Sequence, residues 1–207
     1  MTETTIFFPS TVGQALVLLA RKTIMEYLGR QFPLTESDSL AKALAVPAAE
    51  ERHGVFVTLT IDNQLRGCIG SLSAEESVVK GVRGNAVNAA FRDPRFPPLS
   101  LAELDRVSIE VSILSEPQTL PYSGATDLLA KLRPGVDGVI LSAGYRSATF
   151  LPQVWSQLPE PTDFLSHLCL KAGLARDAWR SSSVTVMTYQ VQHFSDPPPA
   201  TNTSAQS

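Results

Sequence analysis

Residues 55–71 read VFVTLTIDNQLRGCIGS, and the alternation inside them decides the fold. Val55, Val57, Leu59 and Ile61 fall on one face of an extended segment, Phe56, Thr58 and Thr60 on the other. Asp62, Asn63 and Gln64 supply turn chemistry before Leu65–Ser71, so the stretch is expected to be a β-hairpin. Downstream, Ser73 followed by Glu76 has the capping-box pattern, and Val78, Val79, Val82, Ala86, Val87, Ala90 and Phe91 continue as a helical apolar stripe. That helix should stop before Pro94, because a residue preceding proline is pushed out of the α region. Ser100 and Glu103 repeat the capping signal for a short helix, and Val107–Leu114 alternates as a strand with Val107, Ile109, Val111 and Ile113 inward.

Upstream, Val12–Leu28 reads as one amphipathic helix, and residues 31–50, broken by Pro33 and Pro47, as a loop with one helical turn. Past the central strand a second unit follows. It comprises a short helix over Thr126–Leu132, strands Val136–Ser142 and Tyr145–Leu151 about an Ala143-Gly144 turn, a helix Pro161–Lys171 ending at Gly173, and a last strand Val184–Val191. From Ser195 on, Pro, Ala, Thr, Ser, Asn and Gln with no apolar period predict a disordered tail, leaving residues 1–194 as the folded region. Hairpins mixed with irregularly placed helices indicate an α+β fold with mostly antiparallel β-sheet and flanking helices.

Composition bounds the function. A chain of 207 residues, 43% hydrophobic and 18% charged, builds an ordinary packed core. Seventeen basic against twenty acidic residues, a net charge of −3, provide no positive field for a phosphate backbone, so nucleic acid is not an expected partner. No window approaches the ~20 apolar residues needed to span a bilayer, and the N-terminus lacks an export signal. Two cysteines, Cys68 and Cys169, are too few for a disulfide framework and suit a reducing cytoplasm. A Walker-type phosphate loop, a dinucleotide fingerprint and an HExxH motif are all missing, so neither a cofactor nor a metal is expected.

Leu65–Gly70 spells LRGCIG, and with FRDPRFPPL (91–99), EVSILSE (110–116), GVDGVIL (135–141), TFLPQVW (149–155) and FLSHLCLKAG (164–173) it resembles the AMMECR-one domain family, block after block in family order. The resemblance covers roughly Val12 to Phe194. It implies two intimately packed subdomains and no settled activity. It also implies an association with a Memo-type dioxygenase-like protein and a radical S-adenosylmethionine (SAM) protein, the set known as AmmeMemoRadiSam.

Strict alternation through the LRGCIG strand would place Arg66, Cys68 and Gly70 on one face, bringing a guanidinium beside a thiol and favouring the nucleophilic thiolate. Cys68 is therefore the candidate catalytic residue and Arg66 a candidate anion holder, with Gly67 and Gly70 leaving room for a ligand. The competing reading makes Cys68 a small core residue and the glycines a seat for a packed helix; Arg66 would then pair with a carboxylate such as Glu110. Asp93, Pro94, Arg95, Phe96, Pro97 and Pro98 form a rigid loop, either displaying Arg95 and Phe96 for recognition or filling the core. His167 would serve as a base for Cys68 if the two units met across a cleft, or simply be a satisfied helix histidine; its two-residue offset from Cys169 does not suit a shared metal. Asn85 and Asn88, three apart on a helix, would line a pocket or bond their neighbours. Two functional expectations follow: a small-molecule enzyme or cofactor-handling protein using Cys68 and Arg66, or a scaffold module presenting Phe96, Arg95 and Trp155 to a partner.

Overall fold

The structure, a computed structural model, describes residues 7–196. It divides into two compact units, Phe8–Ile113 with residues 193–196, and Leu114–Gln192 with Phe7. The first unit carries helices α1 (Ser10–Tyr27), α2 (Leu34–Leu44), α3 (Pro47–Glu50) and α4 (Val78–Phe91). Its sheet is built from β1 (Val55–Ile61), β2 (Gln64–Ser71), β3 (Ser108–Leu114) and β8 (Val191–Ser195), in the order β2-β1-β3-β8. The second unit holds β4 (Gln118–Thr119), β5 (Gly138–Ala143), β6 (Arg146–Phe150) and β7 (Thr185–Tyr189) in the order β4-β7-β5-β6, with α5 (Ala125–Lys131) and α6 (Pro161–Lys171). The expected α+β class with antiparallel sheets is what the chain adopts.

The hairpin forms where the alternation placed it. Asp62 and Asn63 take φ of 51° and 62°, the left-handed pair of a two-residue turn whose twist matches the flanking strands. One feature departs from simple alternation. Leu65 faces Thr60 and Gly67 faces Leu59, so Arg66 is an extra residue in β2 and the ladder slips there. Beyond the bulge, Gly67 pairs with Leu59, Cys68 with Thr58 and Gly70 with Phe56.

The core of this unit lies on one side of its sheet. Val55, Val57 and Leu59 of β1 and Ile109, Val111 and Ile113 of β3 are buried, as are Val78, Val82, Ala86, Ala89 and Ala90 of α4, which packs on β1 and β2. Each of the Val, Leu and Ile side chains removed from water contributes about 1.5–3 kcal/mol, the alanines less. Phe194 of β8 faces the same layer, against Phe8 and over Gly13 of α1.

Several boundaries move. Residues 31–50 are not a loop: Pro33 precedes α2 and Pro47 begins α3, because proline at a helix start fixes a helical φ and gives up an N–H that would be unbonded there anyway. The Ser73–Glu76 pattern starts no helix; Ser77 is the N-cap of α4, and the Ser73 amide bonds the Ser71 hydroxyl. The last expected strand is two. Gln190 exchanges bonds with Ser115, through both its main-chain groups, and the chain changes sheet there, so β7 ends at Tyr189 and β8 runs to Ser195. Ser195 therefore belongs to β8 rather than to a tail, and residues 197–207 lie outside the described residues. In the second unit, Gly144 at φ 59° turns the β5–β6 hairpin and Gly173 at φ 71° closes α6, as expected.

Candidate functional site

Cys68 sits on β2, an edge strand, and its main chain is held from outside the sheet. The Asp93 carboxylate accepts from the Cys68 amide at 2.9 Å, and Arg95 Nη2 donates to the Cys68 carbonyl at 3.1 Å. Asp93 and Arg95 also bond each other, at 2.9 Å and 2.7 Å. The DPRFPP loop thus supplies the pairing a fifth strand would have given, covering an edge that would otherwise be open. The Asp93 side chain is 1% exposed and that of Arg95 53%. Hydrogen bonding from Arg95, opposed by burial and assisted by the Cys68 amide, holds the Asp93 carboxyl well below the usual carboxylate range. Arg95 is raised in turn, first by the Asp93 hydrogen bond and against the opposing effect of burial.

The Cys68 thiol is half-buried and accepts a hydrogen bond from the Thr58 hydroxyl at 3.3 Å. Thr58 lies opposite Cys68 on one side and Glu110 on the other, so all three share the sheet face turned away from α4. Glu110 continues the row to β8: its carboxylate meets His193 Nδ1 at 3.1 Å, and Ser112 Oγ meets the same nitrogen at 3.0 Å. The His193 bond, against the opposing effect of burial, lowers the Glu110 carboxyl. With Nδ1 engaged, Nε2 is the ring atom left to meet a ligand. Cys68, Thr58, Glu110 and His193 therefore form a polar row across four strands, Cys68 and Glu110 being two strand spacings, roughly 10 Å, apart.

Arg66 is not part of that row. Displaced by the bulge, it points its Nε at Glu103 Oε1 at 2.7 Å and its Nη2 at the Pro98 carbonyl at 3.4 Å. This corrects both the expected Arg66–Cys68 neighbourhood and the expected Arg66–Glu110 pair. Glu103 also closes the Ser100 turn, accepting from its amide and hydroxyl, and the Arg66 bond followed by the Ser100 amide pushes its carboxyl down to about 2. Residues 101–106 are turns rather than the short helix the capping pattern suggested.

The two glycines serve packing. A Cβ on Gly67 would stand 2.1 Å from the Ala89 carbonyl oxygen of α4, and one on Gly70 would meet the Phe56 ring at 2.2 Å. Asn85 donates to the Val55 carbonyl at 3.0 Å and, with Asn88, lines a separate cavity of about 250 Å³ among His53, Glu75 and Glu76. His167 is exposed on α6, in the unit that does not contain Cys68, whereas Cys169 is buried and its thiol is pushed up by burial. Trp155 is no interface anchor: it is 3% exposed, stacks on Phe164 at 3.6 Å and donates its indole N–H to the Asp137 carbonyl.

Thr58, Glu103 and His193 were not singled out as site residues from the sequence. Thr58 carries a signal, standing on the polar face of β1, and His193 alternates with the buried Gln192 and Phe194 in a strand that runs past the expected end at Val191.

The AMMECR1 sequence profile matches residues 17–194. The chain belongs to the AMMECR1 family. Its relatives include Protein Mbar_A1807 of Methanosarcina barkeri, 39% identical over 188 residues and covering 90% of this chain and 91% of that protein. Protein MJ0810 of Methanocaldococcus jannaschii is 34% identical over 190 residues, with 90% and 91% covered. Among solved structures, the crystal structure of the uncharacterized protein PH0010 from Pyrococcus horikoshii superposes with a TM-score of 0.73 at 33% identity, over 91% of this chain and 93% of that one. The AMMECR1 match thus takes in both units and every residue of the polar row. No helix among the described residues is long and apolar enough to cross a membrane.

Proposed function

We propose that the polar face of the β2-β1-β3-β8 sheet is the working surface of this AMMECR1 protein. On this reading it is a small-molecule enzyme or cofactor-handling protein in which Cys68 attacks, or is modified by, an anionic ligand held by Arg95. The observation that carries the reading is the double clamp on Cys68. One ion pair bonds both the amide and the carbonyl of Cys68, its carboxylate buried and its guanidinium left half-exposed beside the residue, free to meet a ligand as well as to cover the strand edge. The Thr58 hydroxyl donates to the Cys68 sulfur, and the Arg95 guanidinium stands against the Cys68 carbonyl, where an anionic ligand would meet it. In such a step the sulfur electron pair forms the S–C bond at an electrophilic carbon, and the pair of the broken bond departs with the leaving group. The Glu110–His193 pair offers proton transfer on the same face.

Charge selectivity tests this. Native Cys68 should react with iodoacetate faster, relative to iodoacetamide, than a free cysteine does, and Arg95→Gln should remove the preference. Equal ratios in the wild type and the variant would end the role of Arg95.

A second reading, a scaffold acting with a Memo-type dioxygenase-like protein or a radical SAM protein, draws on the same loop: exposed Arg95 lies over Phe96 at 5.5 Å from the ring centroid, a residue pair suited to an interface anchor. Co-purification that survives Cys68→Ser and is lost in Phe96→Ala would favour it; no partner recovered from either protein would count against it.

A further inference from the structure

A second site lies wholly within the Leu114–Gln192 unit. The β4–β7 ladder pairs Gln118 with Thr188 and Thr119 with Met187, and the Leu120 amide still reaches the Val186 carbonyl. Pro121 then has no N–H to continue it. The two segments part, Tyr122 reaches back with its hydroxyl to the Val184 carbonyl at 2.7 Å, and the gap is a cavity of about 350 Å³. That volume is within the range of small-molecule sites.

Its lining has an unusual charge balance. Arg180 is present and no carboxylate is; the remaining polar side chains are the hydroxyls of Thr119, Tyr122, Ser181, Ser182 and Thr185, and the apolar ones include Leu120, Pro121 and Val184. The other polar cavities hold carboxylates, Glu75 and Glu76 in one and Asp62, Asp105 and Asp196 in another. Among the described residues, Arg180 makes no ion pair. Its guanidinium lies 4.2 Å from the ring centroid of Trp179, which is itself buried and donates its indole N–H to Ser166. An indole seated in the core thus orients an arginine whose charge the cavity leaves unanswered.

We infer that this cavity binds a small phosphomonoester with an apolar body, the phosphate on Arg180 and the hydroxyls of Thr119, Ser182 and Thr185 and the body against Leu120, Pro121 and Val184. A phosphate presents three terminal oxygens to donors arriving from several directions, which suits an arginine with hydroxyls around it better than a planar carboxylate does.

Phenyl phosphate is the probe, titrated into the ¹⁵N-labelled full chain while the Trp179 indole N–H resonance is followed, with inorganic phosphate, benzoate and phenol as separate arms. A saturable shift with phenyl phosphate, weaker binding of inorganic phosphate and benzoate, no effect of phenol, and about a tenfold or greater loss of affinity in Arg180→Gln is the expected pattern. Thr185→Val, which keeps the arginine, should weaken binding less. Both variants must retain the wild-type spectrum away from the cavity, and phenol binding controls for an apolar groove. No saturable shift, an equal response to phenol, or unchanged affinity in Arg180→Gln would each overturn the assignment.

Discussion

Asp93 is the residue on which the Cys68 geometry turns. Its carboxylate is fully buried, and it is satisfied by the Cys68 amide together with Arg95. Asp93→Ala leaves that amide without its acceptor and frees Arg95, and should cost about 2–3 kcal/mol by urea unfolding. The Cys68 amide should also exchange faster by more than the global loss of stability explains. At this scale the sequence was only partly legible. Cys68 and the Asp93–Arg95 loop were legible as separate candidates but their contact was not, and neither was the partner of Arg66, because a bulge is a one-residue slip that alternation alone does not reveal. The guanidinium bonded to Cys68, at its main-chain carbonyl, proves to be that of Arg95, which comes from a loop 27 residues away.

The hairpin and α4 meet at Gly67, where the helix carbonyl of Ala89 occupies the space a side chain would need. Because the obstacle is backbone, Gly67→Ala should destabilise by about 2–3 kcal/mol or more through overpacking, read as a lower urea midpoint. The turn that carries Glu103 gives this layer a pH dependence. The Glu103 carboxyl is lowered to about 2 from 4.5 by Arg66 and the Ser100 amide, so its contribution is fully present above pH 4.5 and is lost as pH falls from there toward 2. The wild type should therefore lose more thermal stability between pH 5 and 2 than Glu103→Gln does; parallel curves would show that the pair contributes nothing. Strong periodicity made β1, α4, β3 and α6 readable. Helix α2 is hard to read from sequence because Pro33 and Pro47 look like breakers, whereas both stand where helices begin.

Across the whole molecule, the α+β class and the extent of the AMMECR1 domain were legible from the patterned segments and the ordered blocks. The strand exchange at Gln190 was not, since it depends on Ser115, 75 residues earlier, and it hid His193. The Leu114–Gln192 unit keeps its own core around Trp155 and Phe164. Trp155→Ala should accordingly cost about 3–5 kcal/mol of stability rather than act as a surface change, which a thermal melt separates directly. On the proposed function, the first unit's sheet offers a nucleophilic thiol on an accessible polar face. The most direct measurement is the iodoacetamide alkylation rate of Cys68 in the folded protein across pH, located by peptide mapping with buried Cys169 as the internal reference. Native Cys68 should react readily while Cys169 does not, and the Cys68 rate should fall on Arg95→Gln. A Cys68 that stays as inert as Cys169 until the protein unfolds would contradict the proposed function.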